Sequence, residues 1–112
     1  MSGNLAVLRS AIDMYAGEHV GTFPVVANIE NQLTLYTNVS GTTRTSKNST
    51  YIYGPYLRKV PPLPVGARKG CTRIAARSAS DVGWIYTEAS GNIRANCTNS
   101  ETDESGTRYN EY

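Results

Sequence analysis

Long apolar runs are absent from this 112-residue chain. Nothing approaches the roughly 20 consecutive apolar residues that carry a helix across a bilayer, and no stretch has the order of a secretory leader. Histidine is scarce: His19 stands alone, and with only Cys71 and Cys97 beside it the chain cannot complete a zinc site. The same scarcity removes the usual general-base constellations, so no catalytic residue is expected. Charge is nearly balanced, 11 basic against 9 acidic residues for a net +2. That balance argues against nucleic acid or an anionic membrane as the main partner. Phe and Trp occur once each against eight Tyr. A tyrosine keeps a polar handle on an apolar ring, which suits a surface that meets water and partners.

What is present suffices for one domain, 1–112, burying roughly two-thirds of its unfolded surface. Its organising element is an amphipathic helix over residues 4–19. Leu5, Leu8, Ile12 and Tyr15 recur at three, four and three residues, one stripe of a 3.6-residue period. Val7, Ala11 and Met14 are expected to widen that stripe, while Arg9, Ser10, Asp13 and Gly17 fall outside it. A helix this short is marginal alone, so the rest of the chain must cover it. His19, at its end, reads as a partner of the helix dipole or a surface residue.

Gly21-Thr22-Phe23-Pro24 is a turn, since Pro24 forbids helix at Phe23, whose ring plugs the start of the core. Asn28 can cap a second, shorter helix with Ile29, Leu33 and Tyr36 on one face. Residues 37–50 hold a single aliphatic side chain and read as a variable surface loop. Three prolines, Pro61, Pro62 and Pro64, exclude helix and central strand, so residues 60–66 should run extended with Leu and Val inward. Tyr51, Tyr53 and Tyr56 beside Arg58 and Lys59 can be drawn as a stacking platform, or as a packed corner with hydroxyls at the surface; the corner is the preferred reading.

Residues 82–87, β-branched and aromatic throughout, give the clearest strand, and Gly91 turns it into a hairpin whose return carries Ile93 and Ala95 on one face. Residues 72–76 supply a third strand, expected to complete an antiparallel meander covered by the helix. Whether Trp84 or Ile85 and Val82 face the core depends on register. Cys71 and Cys97 sit at strand margins among polar residues, which favours a disulfide over two reduced thiols. Residues 101–112 carry four carboxylates and one arginine, net −3, leaving +5 on residues 1–100. An acidic tail of this kind is expected to serve solvation or local salt bridges.

Helix, glycine–aromatic–proline turn, variable loop, proline-rich segment and antiparallel hairpin, in that order, resemble the type IV pilin-like superfamily. The strongest likeness is to the major pseudopilins of type II secretion. LRSAIDMYAGEHVGTFP (residues 8–24) is similar to that family's helix end and turn, and GPYLRKVPPLPVG (54–66) to its extended segment. GWIYTEASGNIRAN (83–96) resembles its hairpin. The resemblance implies an α+β fold, with an N-terminal amphipathic helix packed on a small antiparallel sheet. It also implies that residues 4–19 are the second half of a longer helix whose apolar half anchors the protein in a bacterial inner membrane.

The implied function is that of a structural subunit polymerising helically into a pilus-like filament. The domain would be periplasmic or part of an extracellular filament. Its partners would be further copies, minor pseudopilins and the inner-membrane assembly platform, with membrane contact only through the apolar half-helix. Tyr53, Tyr56, Arg58 and Lys59, with the loop 37–50 and the tail, are the expected contacts. Leu63-Pro64-Val65-Gly66 stands where the family carries Asp-Pro-Trp-Gly, and its calcium loop has no counterpart. Glu101, Asp103 and Glu104 are therefore only weak calcium candidates, and no other cofactor is expected. The alternative is a minor pilin binding DNA or a surface through the basic residues 68–77 and the tyrosines.

Overall fold

A computed structural model describes residues 2–112 as an α+β arrangement; Met1, the first residue of the expected domain, lies outside the described residues. Helix α1 (Ser2–Glu18) buries Leu5, Leu8, Ala11, Ile12 and Tyr15 in the core, as the three–four spacing requires. Val7 and Met14, expected to widen that stripe, instead stand 50% and 49% exposed. Both flank Ala11, about 40° and 60° from it around the helix, on the side away from the stripe's centre at Leu8 and Tyr15. Their face, with Gly3, Ser10 and Gly17, is uncharged and exposed.

The helix ends in a left-handed cap. Gly21 N–H reaches back to the Ala16 carbonyl at 2.8 Å, and Val20 supplies the positive φ of 59° that glycine normally takes there. The chain then turns through Phe23 and Pro24 into α2 (Ile29–Thr34), which buries Ile29, Gln32 and Leu33. Asn28 stands at the N-cap position without a side-chain cap bond. Tyr36, expected on this helix, lies beyond its end in β1 (Tyr36–Thr37), because Leu35 is already extended.

β1 pairs antiparallel with β2 (Thr43–Arg44), and Thr37 also bridges Tyr53. The expected loop 37–50 therefore opens as a short hairpin with Thr37 fully buried, and only 44–50 is a continuously exposed stretch. Beyond it, Leu57, Val60 and Leu63 turn inward from the extended proline segment.

The main sheet has the order β3–β4–β5, with β3 (Arg73–Ala75), β4 (Val82–Thr87) and β5 (Asn92–Ala95). β4 and β5 form the expected antiparallel hairpin. β3, however, pairs with β4 in parallel, with an irregularity between Arg73 and Ile74, so the expected meander is a mixed sheet. Parallel neighbours usually need a long crossover. Here β3 is three residues long, about 10 Å, and the intervening residues 76–81 span at most about 20 Å when extended. That is enough to loop back without a helix.

Register places Val82, Trp84 and Tyr86 on the inner face with Ile93 and Ala95. The two rings direct their polar ends to carbonyls of irregular segments: Trp84 Nε1–H to Pro61 at 2.8 Å, and the Tyr86 hydroxyl to Pro24 at 2.8 Å. Burial pushes the Tyr86 phenol up, with Glu88 adding to it. On the outer face a side chain at Gly83 would run into the Cys71 carbonyl, so only glycine lets that strand cross there. The tail closes with a 3-10 turn (Tyr109–Glu111) beside β5.

Candidate functional site

Three surfaces carry the chemistry singled out in the sequence, and a fourth emerges from the fold. The first is an aromatic corner at the C-terminal end of α1. His19 is not a surface residue: it is 3% exposed and stacks on Tyr15 at 3.7 Å between ring centroids. Its Nδ1 lies 2.6 Å from the Tyr15 carbonyl, which can only accept, so Nδ1 carries a proton; Nε2 lies 2.9 Å from Thr37 Oγ1. The imidazole thus satisfies a last-turn carbonyl of α1 and bolts β1 to the helix. Tyr53 tilts over the ring at 5.0 Å, and Tyr56 meets Tyr15 edge-on at 5.9 Å. The Tyr56 hydroxyl donates to Glu18 at 2.6 Å, and burial followed by that carboxylate raises its pKa.

Arg58 and Lys59 belong to a different place. They line a hollow of about 400 Å³ with Glu30, Thr34, Val60 and Thr72, and no tyrosine is part of it. The four expected contact residues therefore divide into a half-buried pair, Tyr53 and Tyr56, that holds the corner, and an exposed cationic pair. A joint stacking platform does not form.

The third place is the tail. Glu101 Oε1 accepts from Thr98 N–H at 2.7 Å and Oε2 from Ala67 N–H at 2.6 Å. Those bonds, Thr98 first, hold its carboxyl below the usual carboxylate range. Asp103 Oδ1 accepts from Ser105 and Thr107 N–H, and Oδ2 from the Tyr112 hydroxyl; the latter is the first cause of its lowered pKa. Tyr112 is pushed up to about 12 by the same bond. Glu104 is exposed at the tip of this turn. Among the described residues no group of three or more His, Cys, Asp or Glu gathers as metal ligands. Glu101, Asp103 and Glu104 are not assembled into a cation site, because the first two brace separate stretches of backbone.

The expected Cys71–Cys97 bridge is not formed; both thiols are free. Cys71 Sγ faces the Ser80 carbonyl at 3.7 Å, whereas Cys97 Sγ packs by Gly66, and burial, with Glu101, pushes the Cys97 thiol up to about 11.

The fourth place was not singled out in the sequence. Over the outer face of the sheet opens a cleft of about 410 Å³ lined by Ala76, Arg77, Ser78, Ile85, Arg94 and the Asn96–Cys97–Asn110 wall. Arg94 stands directly opposite Ile85 in the hairpin, and Ala75 opposite it on the other side. The signal was available: pairing Thr87 with Asn92 across the Gly91 turn fixes Ile85 against Arg94.

Comparison with protein-family models, curated proteins and solved structures finds no match for this chain. What fold and surfaces define is an α+β domain with a packed aromatic corner and two cationic hollows. A particular family is a matter of proposal.

Proposed function

We propose that this chain is a structural subunit of a pilus-like filament, of the type II secretion pseudopilin kind. The observation that supports the reading is the outer face of α1. Gly3, Val7, Ser10, Met14 and Gly17 form an uncharged strip along one exposed side of the helix, with two half-exposed apolar side chains on it. A surface helix normally turns charge to water on that face. Small residues with Val and Met between them suit close approach of another helix. The shape agrees: principal extents of 49 × 22 × 22 Å make an elongated subunit.

In this reading α1 continues an apolar half-helix that anchors the precursor in the inner membrane and then bundles in the filament axis. The domain then lies on the periplasmic or outer side, with further copies, minor pseudopilins and the assembly platform as partners. Its work is mechanical, and no residue does covalent chemistry. A head-to-tail contact repeated without closure generates such a filament.

The test is assembly in the native cell. Val7→Lys with Met14→Lys is expected to leave the melting of the purified domain unchanged and to abolish filaments seen by electron microscopy. Filaments of normal abundance from the doubly substituted chain overturn the reading.

A further inference from the structure

Of the chain's arginines, Arg9 donates to the Ile93 and Tyr112 carbonyls, Arg73 pairs with Asp81 and Arg108 with Glu111. Among the described residues Arg44, Arg58, Arg68, Arg77 and Arg94 have no carboxylate within 4.0 Å, and of these Arg77 and Arg94 together line the cleft on the outer face of the sheet. The floor of that cleft is Ile85, 6% exposed and outside the main core cluster. The wall adds two asparagines whose amide nitrogens are already engaged, Asn96 with the Val82 carbonyl and Asn110 with the Cys97 carbonyl and Asn99. Their amide oxygens are left to accept. Two guanidiniums beside amide acceptors and an aliphatic floor match a peptide that brings a carboxylate and N–H donors.

The chain itself carries such a peptide. Asp103 ties the 103–107 turn by accepting from Ser105 and Thr107 N–H, and Gly106 N–H returns to the Asp103 carbonyl. The turn is preorganised, so little ordering entropy is lost when it docks. Glu104 at its tip is exposed and without a cationic partner among the described residues. Around it the tail carries net −3, against +5 on residues 1–100.

We infer that the Arg77–Arg94 cleft receives the Glu104 turn of a second copy of this chain, Glu104 pairing with the two guanidiniums. The contact is heterologous: each copy offers one turn and one cleft. As a filament contact it rests on the pilus-like reading, but the pairing itself is measurable on the isolated chain.

Sedimentation velocity at low salt, at concentrations up to about 1 mM, is expected to give concentration-dependent self-association. Raising the salt weakens it, since exposed charges are screened. Arg94→Glu and Glu104→Arg, both at exposed positions, each weaken it about tenfold or more with unchanged melting curves. The deciding arm mixes the two variants. Each chain lacks one half of the contact and keeps the other, so the mixture recovers association at wild-type strength for one pair per two chains. A wild-type chain that stays monomeric, or a mixture no better than its components, overturns the inference. The helix-face substitutions at Val7 and Met14 do not touch this contact. A failed charge swap therefore removes the cleft pairing alone, whereas filaments that survive lysines on α1 remove the filament reading.

Discussion

Two sides of α1 both carry apolar side chains and meet different surroundings. Leu5, Leu8, Ile12 and Tyr15 are almost fully covered by the sheet and the extended segment, while Val7 and Met14 stand half in water. The inner track is the more apolar and is the one the rest of the chain covers: Tyr15 and His19 hold β1, and Leu5 and Leu8 enter the core cluster. The outer track carries glycine and serine between Val7 and Met14, and Glu18, next along it, takes the Tyr56 hydroxyl. An element can thus be fully amphipathic by pattern and still present a second face for a partner.

The contrast breaks most visibly by truncation. Leu8→Ala is expected to cost about 2–5 kcal/mol in denaturant unfolding, because it opens a cavity in a closed core. Val7→Ala, one residue away, should stay within about 0.5 kcal/mol. Equal losses at the two positions would mean that α1 is not oriented as described.

A smaller effect tests the end of the inner track. His19→Ala removes two buried hydrogen bonds and the stack on Tyr15, and should cost about 1–3 kcal/mol. Thr37→Val should cost about 1 kcal/mol, and the double variant less than the sum, because the two share one bond. Full additivity would mean that His19 and Thr37 do not touch.

At the cap the expected sign reverses. Val20 is 90% exposed, so replacing it loses no packing, and its left-handed backbone strains a β-branched residue. Val20→Gly should raise stability by about 0.5–1 kcal/mol, the relief being partly offset by glycine's greater freedom in the unfolded chain. A lower melting temperature would count against the left-handed cap.

The smallest effect concerns the tail. Glu101 and Asp103 bind protons less readily folded than unfolded. Their contribution is therefore complete above the usual carboxylate range and lost as pH falls through it and below, from about pH 4 downward. Amide exchange should show residues 98–112 loosening in acid while α1 keeps its protection. A tail that stays protected well below that range would contradict the bracing role of these carboxylates.

Much of the fold was legible along the chain. The spacing of Leu5, Leu8, Ile12 and Tyr15 gave the helix, Phe23-Pro24 the turn, Gly91 the hairpin and the three prolines the extended segment with Leu63 inward. Of the surfaces, the tyrosine corner was half legible: its packed character was expected, but not that a buried His19 sits at its centre. The Arg94 cleft was not legible, because the basic residues 68–77 are contiguous in sequence whereas its two guanidiniums come from the stretch after β3 and from β5.

Local pattern by itself determined where helix, turns and hairpin form, because periodicity and restricted backbone angles act between near neighbours. Tertiary structure alone decided the rest: that β3 runs parallel to β4, that Thr37 bridges Tyr53, and that Arg77 and Arg94 flank Ile85. Each of these depends on pairing between distant segments. A shift of one residue in a strand, or two in a helix, turns the same side chain to the opposite side.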